Sequence, residues 1–138
     1  MASNKRWVTL FIFLLVISLA LGCQERKPIE GRCDYDGVKI EPLYAVYFTL
    51  RDGTEKKFCS IVCASMIFSS LRRQIKGVKV IDEPSGNKIN AAEAFFVESD
   101  IVTVPHVKNR IHVFAKKEDA LKHIQKFKGN WIENPFLS

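Results

Sequence analysis

A strand-to-helix junction occurs twice in this chain, and the repeat limits the folds that the sequence can adopt. Phe58-Cys59-Ser60 ends a run of strand-forming residues and precedes a helical pattern, and Phe114-Ala115-Lys116 does the same later in the chain. Asp52-Gly53 predicts a tight hairpin before the first junction. Each half has the pattern strand, strand, helix, strand, so the sequence predicts an α+β fold of two related β-β-α-β units packed together.

Turn and capping residues set the predicted element boundaries. In the first unit, residues 33–88, we expect a helix from the cap Ser60 to about Ile75, closed by Gly77. In the second unit, residues 89–138, we expect a helix over 117–127 that Gly129 ends. The predicted strands are 44–50, 55–58, 78–81, 93–97, 110–114 and 131–132.

Residues 1–22 predict a secretory signal peptide. Lys5 and Arg6 precede an apolar run over 7–22, and small residues stand immediately before Cys23. A lasting transmembrane anchor is the weaker alternative, because a membrane-spanning helix needs about 20 apolar residues. Residues 23–32 form a short polar tether.

The end of the signal resembles the bacterial lipobox. Leu19-Ala20-Leu21-Gly22-Cys23 implies cleavage before Cys23 and lipidation of that cysteine. An ordinary signal peptidase cutting the same bond is the alternative. Several acyl chains on Cys23 would hold the protein at a membrane durably, since one chain alone binds marginally.

The charge of the mature chain does not favour a nucleic-acid partner. Lys5 and Arg6 leave with the signal, so the 21 Lys and Arg of the full chain fall to 19, against 15 Asp and Glu. The remaining basic residues are spread along the chain rather than clustered.

The cysteine count points to a metal. In an oxidising compartment structural cysteines usually pair, but lipidation of Cys23 leaves three: Cys33, Cys59 and Cys63. A helix starting at Ser60 places Cys59 and Cys63 one turn apart at its N-terminus, where the helix dipole stabilises thiolates.

With Cys33 arriving from a loop, the three cysteines would form a thiolate cluster that selects thiophilic ions. Three thiolates suit trigonal Cu(I), and zinc is the alternative metal. A disulfide from Cys33 to Cys59 or to Cys63, with one spare buried thiol, is the competing interpretation.

Met66 and His106 are additional candidate ligands. Met66 shares the helix face of Cys59 and Cys63, although a single Met on such a helix more often packs. His106 follows Pro105 in a long loop, whereas His112 and His123 are expected to be structural or solvated. No phosphate loop, Ser/His/Asp set or His-Glu-x-x-His motif occurs, so a catalytic function has little support.

Several segments together resemble the NosL-type lipoproteins, accessory proteins of nitrous oxide reductase. The Cys33…Cys59-x-x-x-Cys63 pattern also resembles the metal-binding TRASH motif. The segments are the lipobox-like start, Cys33 with its turn, the Asp52-Gly53 hairpin, Phe58 to Cys63, Asn90 to Val97 and Val113 to Ala120.

The resemblance implies two β-β-α-β units, a lipid anchor facing the periplasm and delivery of Cu(I) to a copper enzyme or another metal-handling partner. It also implies that the protein is not an enzyme. Gln24 next to the lipidated Cys23 weakly favours the outer membrane.

Two other functions stay open. In one, the chain is a lipoprotein that acts in assembly or interaction, and its cysteines are only structural. In the other, it is a thiol enzyme related to organomercurial lyases, with Asp34 or Asp36 as a proton donor if the fold brings either residue to the thiols.

Overall fold

The computed structural model describes residues 30–137. The predicted signal peptide, the predicted lipidation site Cys23 and most of the predicted tether lie outside the described residues. None of the helices in the described part is long and apolar enough to cross a membrane. At the start of this part, Arg32 already forms an antiparallel bridge with Lys39.

The first half forms a four-stranded antiparallel sheet with one helix. A 3-10 turn at Pro42–Tyr44 leads into the strands, whose order in the sheet is β2-β1-β3-β4. The elements are β1 (Val46–Leu50), β2 (Glu55–Phe58), α1 (Ile61–Leu71), β3 (Ile75–Ile81) and β4 (Lys88–Asn90).

The second half repeats this arrangement with three strands. A 3-10 turn at Ala91–Glu93 precedes the first strand, and the order in the sheet is β6-β5-β7. The elements are β5 (Phe95–Glu98), β6 (Ile111–Phe114), α2 (Lys117–Phe127) and β7 (Asn130–Ile132). The predicted α+β fold of two β-β-α-β units is therefore confirmed.

Several predicted boundaries in the first half are wrong. Helix α1 ends at Leu71, and Ile75 and Gly77 belong to β3, where they pair with Leu50 and Thr49 of β1. The apolar spacing of Leu71 and Ile75 suits a helix, but pairing with β1 across a bulge takes Ile75 into the sheet. Strand β4, which the sequence did not predict, spans the predicted division at residues 88 and 89.

Glycine does not end the second helix as predicted. Lys128 adopts the left-handed conformation there, with φ +53°. Gly129 is instead needed for close packing, because a Cβ on it would lie 2.9 Å from Val97 Cγ1 and 3.0 Å from the Glu98 carbonyl oxygen.

One hydrophobic core joins the halves. Phe48 of β1 lies at its centre, with ring centroids 4.7 Å from Phe58 and 6.0 Å from Phe68. Phe136, near the end of the chain, contacts Phe48 at 5.8 Å and Phe96 of β5 at 6.2 Å. Because the same rings pack against both sheets, the halves hold each other in a defined orientation.

A polar joint fixes β6 against the end of β3. The Ala115 N–H donates to Asp82 Oδ1 at 2.8 Å, and the Glu83 N–H donates to the Val113 carbonyl oxygen at 3.0 Å. Glu83 Oε2 also lies 3.0 Å from Nδ1 of His112, whose side chain is only 1% exposed. His112 Nε2 also lies 3.2 Å from the Ile101 carbonyl oxygen, which connects the joint to the loop before β6 that contributes to the site described next.

Candidate metal centre

A tight turn presents Cys33 to the site. The Cys33 N–H donates to the Val38 carbonyl oxygen at 2.8 Å, and the Gly37 N–H donates to the Cys33 carbonyl oxygen at 2.9 Å. Gly37 has φ +73°, a conformation that glycine adopts without strain. Asp34 and Lys57 exchange hydrogen bonds of 2.8 and 2.6 Å, so the turn is fixed to β2 just before Cys59.

Cys59 and Cys63 lie at the start of α1, as predicted. Ser60 is the N-cap, and its Oγ accepts a hydrogen bond from the Cys63 N–H at 3.1 Å. The two Sγ atoms are 3.4 Å apart, and both residues are buried. The cap therefore determines where the two thiols meet.

The fold brings all three predicted cysteine ligands together. Ligand atoms of Cys33, Asp36, Cys59 and Cys63 lie within 4.8 Å of one another. The three cysteines are free, buried thiols. Three buried sulfurs this close together form a donor set of the kind that soft metal ions prefer.

Asp36 is the residue that the sequence interpretation missed as a ligand. Its Oδ2 lies 3.4 Å from Cys63 Sγ and 3.6 Å from Cys59 Sγ. The sequence assigned Asp36 to a turn because Gly37 follows it, and only the thiol-enzyme hypothesis gave it a chemical role. Its position three residues after Cys33 was the available signal.

His106 reaches the same site from the second half. Its Nε2 lies 3.1 Å from Asp36 Oδ2 and 3.6 Å from Cys59 Sγ. The side chain is 36% exposed, against 21% for Asp36, so these two residues form the solvent side of the cluster.

Asn109 positions the loop that carries His106. Its Nδ2 donates to Thr103 Oγ1 at 2.8 Å and to the Ile111 carbonyl oxygen at 2.9 Å, which closes the loop around the 3-10 turn Pro105–Val107. The site is thus assembled from both halves of the chain.

Met66, unlike the three cysteines, is not buried. Its side chain is 61% exposed on α1. The other two histidines lie elsewhere: His112 is buried against Glu83, and His123 packs on His112 with ring centroids 4.2 Å apart. Of the two additional candidate ligands, His106 lies against a thiol, with its Nε2 3.6 Å from Cys59 Sγ.

The environment favours protonated thiols beside an ionised carboxylate. Burial raises the pKa of Cys63 to about 11, and burial together with the neighbouring thiols raises the pKa of Cys59. Burial raises the pKa of both thiols and so opposes the expectation that the helix N-terminus favours thiolates. Partial burial raises the pKa of Asp36, but hydrogen bonds from Val38, Cys33, Cys63 and His106 outweigh burial and lower that pKa to about 2.

This donor set fits a thiophilic metal ion. Three sulfurs and one carboxylate oxygen favour soft or borderline ions, whereas hard cations prefer oxygen ligands. A bound cation would replace the thiol protons and compensate the negative charge of the buried thiolates. The exposed side formed by Asp36 and His106 leaves a route to solvent.

The fold is similar to that of a known metal-handling protein. It matches the crystal structure of the copper chaperone NosL from Shewanella denitrificans with a TM-score of 0.60 and 24% sequence identity, over 80% of this chain and 93% of that chain. The predicted resemblance to NosL-type proteins is thereby confirmed at the level of the fold. No family model and no curated protein matches the sequence.

Proposed function

We propose that this protein is an exported, lipid-anchored carrier that binds Cu(I) and passes it to a copper enzyme in the periplasm. The observation that supports this most strongly is the convergence of Cys33, Cys59 and Cys63, with Asp36, within 4.8 Å. The fold agrees, since the similar structure is that of a copper chaperone. Export and lipidation are supported by the signal-like residues 1–22 and by Cys23.

The number of sulfurs supports Cu(I) over other ions. Cu(I) is stable with three thiolates, whereas structural zinc usually takes four closed ligands. Asp36 could be the fourth ligand for zinc, so an Asp36→Asn variant separates the two metals. We expect this variant to lose zinc affinity by at least about tenfold and to keep its Cu(I) affinity within a few fold.

The location of the thiol cluster near the protein surface supports a metal carrier rather than a metal-storage protein. The thiols are buried, but Asp36 and His106 beside them are 21% and 36% exposed. A metal ion held by three ligands has an open coordination position that a recipient's ligand could enter. Transfer would then proceed by ligand exchange without release of free metal.

Anaerobic titration of the full chain with Cu(I) against a competing chelator tests the proposal. We expect uptake near one equivalent, and loss of high-affinity uptake in a Cys59→Ser, Cys63→Ser variant. Met66→Leu is the matched control, because this thioether is on the same helix but is solvent-exposed. Uptake that survives the double substitution would show that the metal binds elsewhere.

The position of Asp36 favours one second candidate, a thiol enzyme that cleaves organomercurials. Two thiols would bind the mercury of R–Hg⁺, the C–Hg bond would break, and a thiol proton relayed through Asp36 would form R–H while Hg(II) stays on the sulfurs. Asp36 contacts both thiols, as this step requires. Its pKa of about 2 leaves no proton on the carboxylate at neutral pH, which ranks this function second.

Benzene release from phenylmercury distinguishes the two functions. A carrier should bind phenylmercury without releasing benzene, whereas an enzyme should turn over repeatedly and lose turnover in an Asp36→Asn variant. Binding of neither copper nor mercury would instead favour a lipoprotein with structural cysteines.

A further inference from the structure

A second surface feature lies at the other end of α1 from the cysteines. Here a groove of about 380 Å³ has an apolar floor, to which Phe68 and Phe136 contribute. Arg72 and Lys76 line its edge, and no carboxylate lines it. The groove therefore combines apolar surface with positive charge.

More positive charge surrounds the groove. Arg72, Arg73 and Lys76 are all exposed. Arg51 is fixed beside them, because its Nε donates to the Arg73 carbonyl oxygen at 3.0 Å. The acidic neighbours in sequence are Asp52, at the hairpin next to Arg51, and Glu93, next to the groove-lining Ala92. The four cations outnumber these two carboxylates.

An apolar residue projects beside these cations. Leu137 lines the groove, and it is 64% exposed, more than any other exposed large hydrophobic residue in the described part of the chain. Basic side chains around an exposed apolar residue suit the boundary between lipid headgroups and acyl chains.

We propose that this groove docks on an anionic phospholipid membrane surface. Arg51, Arg72, Arg73 and Lys76 would meet lipid phosphates, and Leu137 would enter the acyl boundary. This inference rests on the proposed lipid anchor, which would hold the groove close to the bilayer.

The position of the tether explains what docking of the groove would achieve. Gly31 and Arg32 lie directly before Cys33, so the described chain begins beside the metal centre. Without a second contact, the anchor would therefore keep the metal centre near the lipid. Docking of the groove would turn the metal centre toward the periplasm.

The tether is long enough for this orientation. Residues 23–29 separate Cys23 from the described chain, and seven residues reach at most roughly 25 Å. The 11 residues of α1 span only about 16 Å at 1.5 Å per residue. The anchor and the groove can therefore reach the same bilayer at once.

A depth-sensitive fluorescence experiment tests the proposal. The full chain carrying Leu137→Trp would be reconstituted in nanodiscs containing brominated phosphatidylglycerol, and the signal of the parent chain subtracted. We expect quenching of the new tryptophan that is absent in nanodiscs of brominated phosphatidylcholine, which carry the same quencher without the negative charge. Co-purification of the chain with nanodiscs reports the anchor separately, so a missing anchor and a missing groove contact give different results.

Charge variants complete the test. A basic residue near an anionic surface contributes about 1 kcal/mol, or about fivefold in the docking equilibrium, so Arg72→Gln, Lys76→Gln should weaken docking roughly 25-fold. Lys117→Gln, Lys122→Gln on α2 is the control with the same charge change. Attached chains without quenching, or equal effects of the two double substitutions, would overturn the proposal, and the groove would then be assigned to a protein partner.

Discussion

The two strand-to-helix junctions have the same backbone arrangement but carry different side chains. In each half the second strand ends at a phenylalanine, Phe58 or Phe114, and an 11-residue helix begins three residues later. The first junction continues as Cys59-Ser60 with Cys63 in the helix, whereas the second has Ala115, Lys116 and Asp119 at the matching places. The backbone plan is shared, and only the first half carries thiols.

The helix starts also differ in charge. Helix α1 has a capping Ser60 and no acidic residue in its first turn, whereas α2 has no side-chain cap and carries Glu118 and Asp119 there. Carboxylates satisfy the partial positive charge at the start of α2. In α1 no carboxylate occupies that position, so the charge would be available to the thiolates of the proposed metal site.

The two helices also differ in how many residues they bury. Helix α1 buries Ile61, Cys63, Ala64 and Phe68, whereas α2 buries only Ala120. The helix that carries Cys63 of the candidate site is therefore the one that buries more of its residues in the core. The second half contributes a helix with fewer buried residues and the loop that carries His106.

The largest expected stability difference between the halves follows from the helix cores. Phe68→Ala removes a ring that contacts Phe48 and Phe136, so we expect a loss of about 3–5 kcal/mol in the free energy of unfolding. Ile124→Ala on α2 is the counterpart, and its half-buried side chain should cost less than about 2 kcal/mol. Urea denaturation measures both. Equal losses would mean that the helices support the core equally.

A glycine after each helix gives the next comparison. Gly129→Ala places a Cβ against Val97 and the Glu98 carbonyl, and we expect a loss of about 1–3 kcal/mol. Gly77→Ala meets no atom within 4 Å and should be neutral or slightly stabilising. Thermal denaturation of the two variants checks this, and a harmless Gly129→Ala would show that α2 can move away from β5.

The cap of α1 should have a smaller effect. Ser60→Ala removes the oxygen that accepts from the Cys63 N–H, which should cost about 1 kcal/mol. The reverse change at the second junction, Lys116→Ser, should stabilise by up to about 1 kcal/mol, because α2 lacks a side-chain cap. Urea midpoints of both variants give the comparison, and opposite signs are the expected outcome.

The smallest expected effect is a pH dependence of stability that comes from His123 in the second half. Burial lowers the pKa of His123 from 6.5, and the nearby His112 and Lys126 lower it further against the opposing charge of Glu83. The unfolded chain therefore binds this proton more readily. The contribution to stability is complete above pH 6.5 and is lost as the pH falls from 6.5 toward the lowered pKa.

Urea denaturation between pH 7.5 and 5.5 measures this dependence. A His123→Phe variant keeps an aromatic ring beside Phe114 and Phe127 but cannot titrate. It should lose stability less steeply as the pH falls than the parent does. The same slope in both proteins would assign the dependence to another group.

Local sequence patterns were sufficient to predict many of the turns and helix boundaries. The Asp52-Gly53 turn, the Ser60 cap and the amphipathic pattern of 117–127 each depend on neighbouring residues, and each is found in the structure. The end of α1 depended on pairing between β3 and β1, which no local pattern reveals. Strand β4 has three residues, of which only Ile89 is apolar, whereas the equally short β7 carries Trp131 and Ile132.

The candidate site also contains some contacts that local sequence predicts and others that depend on tertiary packing. Cys59 and Cys63 share one helix start, so their proximity follows from helical geometry. His106 and Asp36 are 70 residues apart, and their contact depends on how the two halves pack. Sequence patterns within one half contain no information about that packing, so His106 could be named only as an additional candidate ligand, and Asp36 only as a proton donor in the thiol-enzyme hypothesis.

The central claim is that three cysteine sulfurs of the first half bind one metal ion together. X-ray absorption at the copper edge, on the full chain loaded anaerobically with one equivalent of Cu(I), tests it most directly. The expected result is three sulfur neighbours in the parent and two in a Cys33→Ser variant. A shell dominated by nitrogen or oxygen, or one that Cys33→Ser leaves unchanged, would contradict the claim.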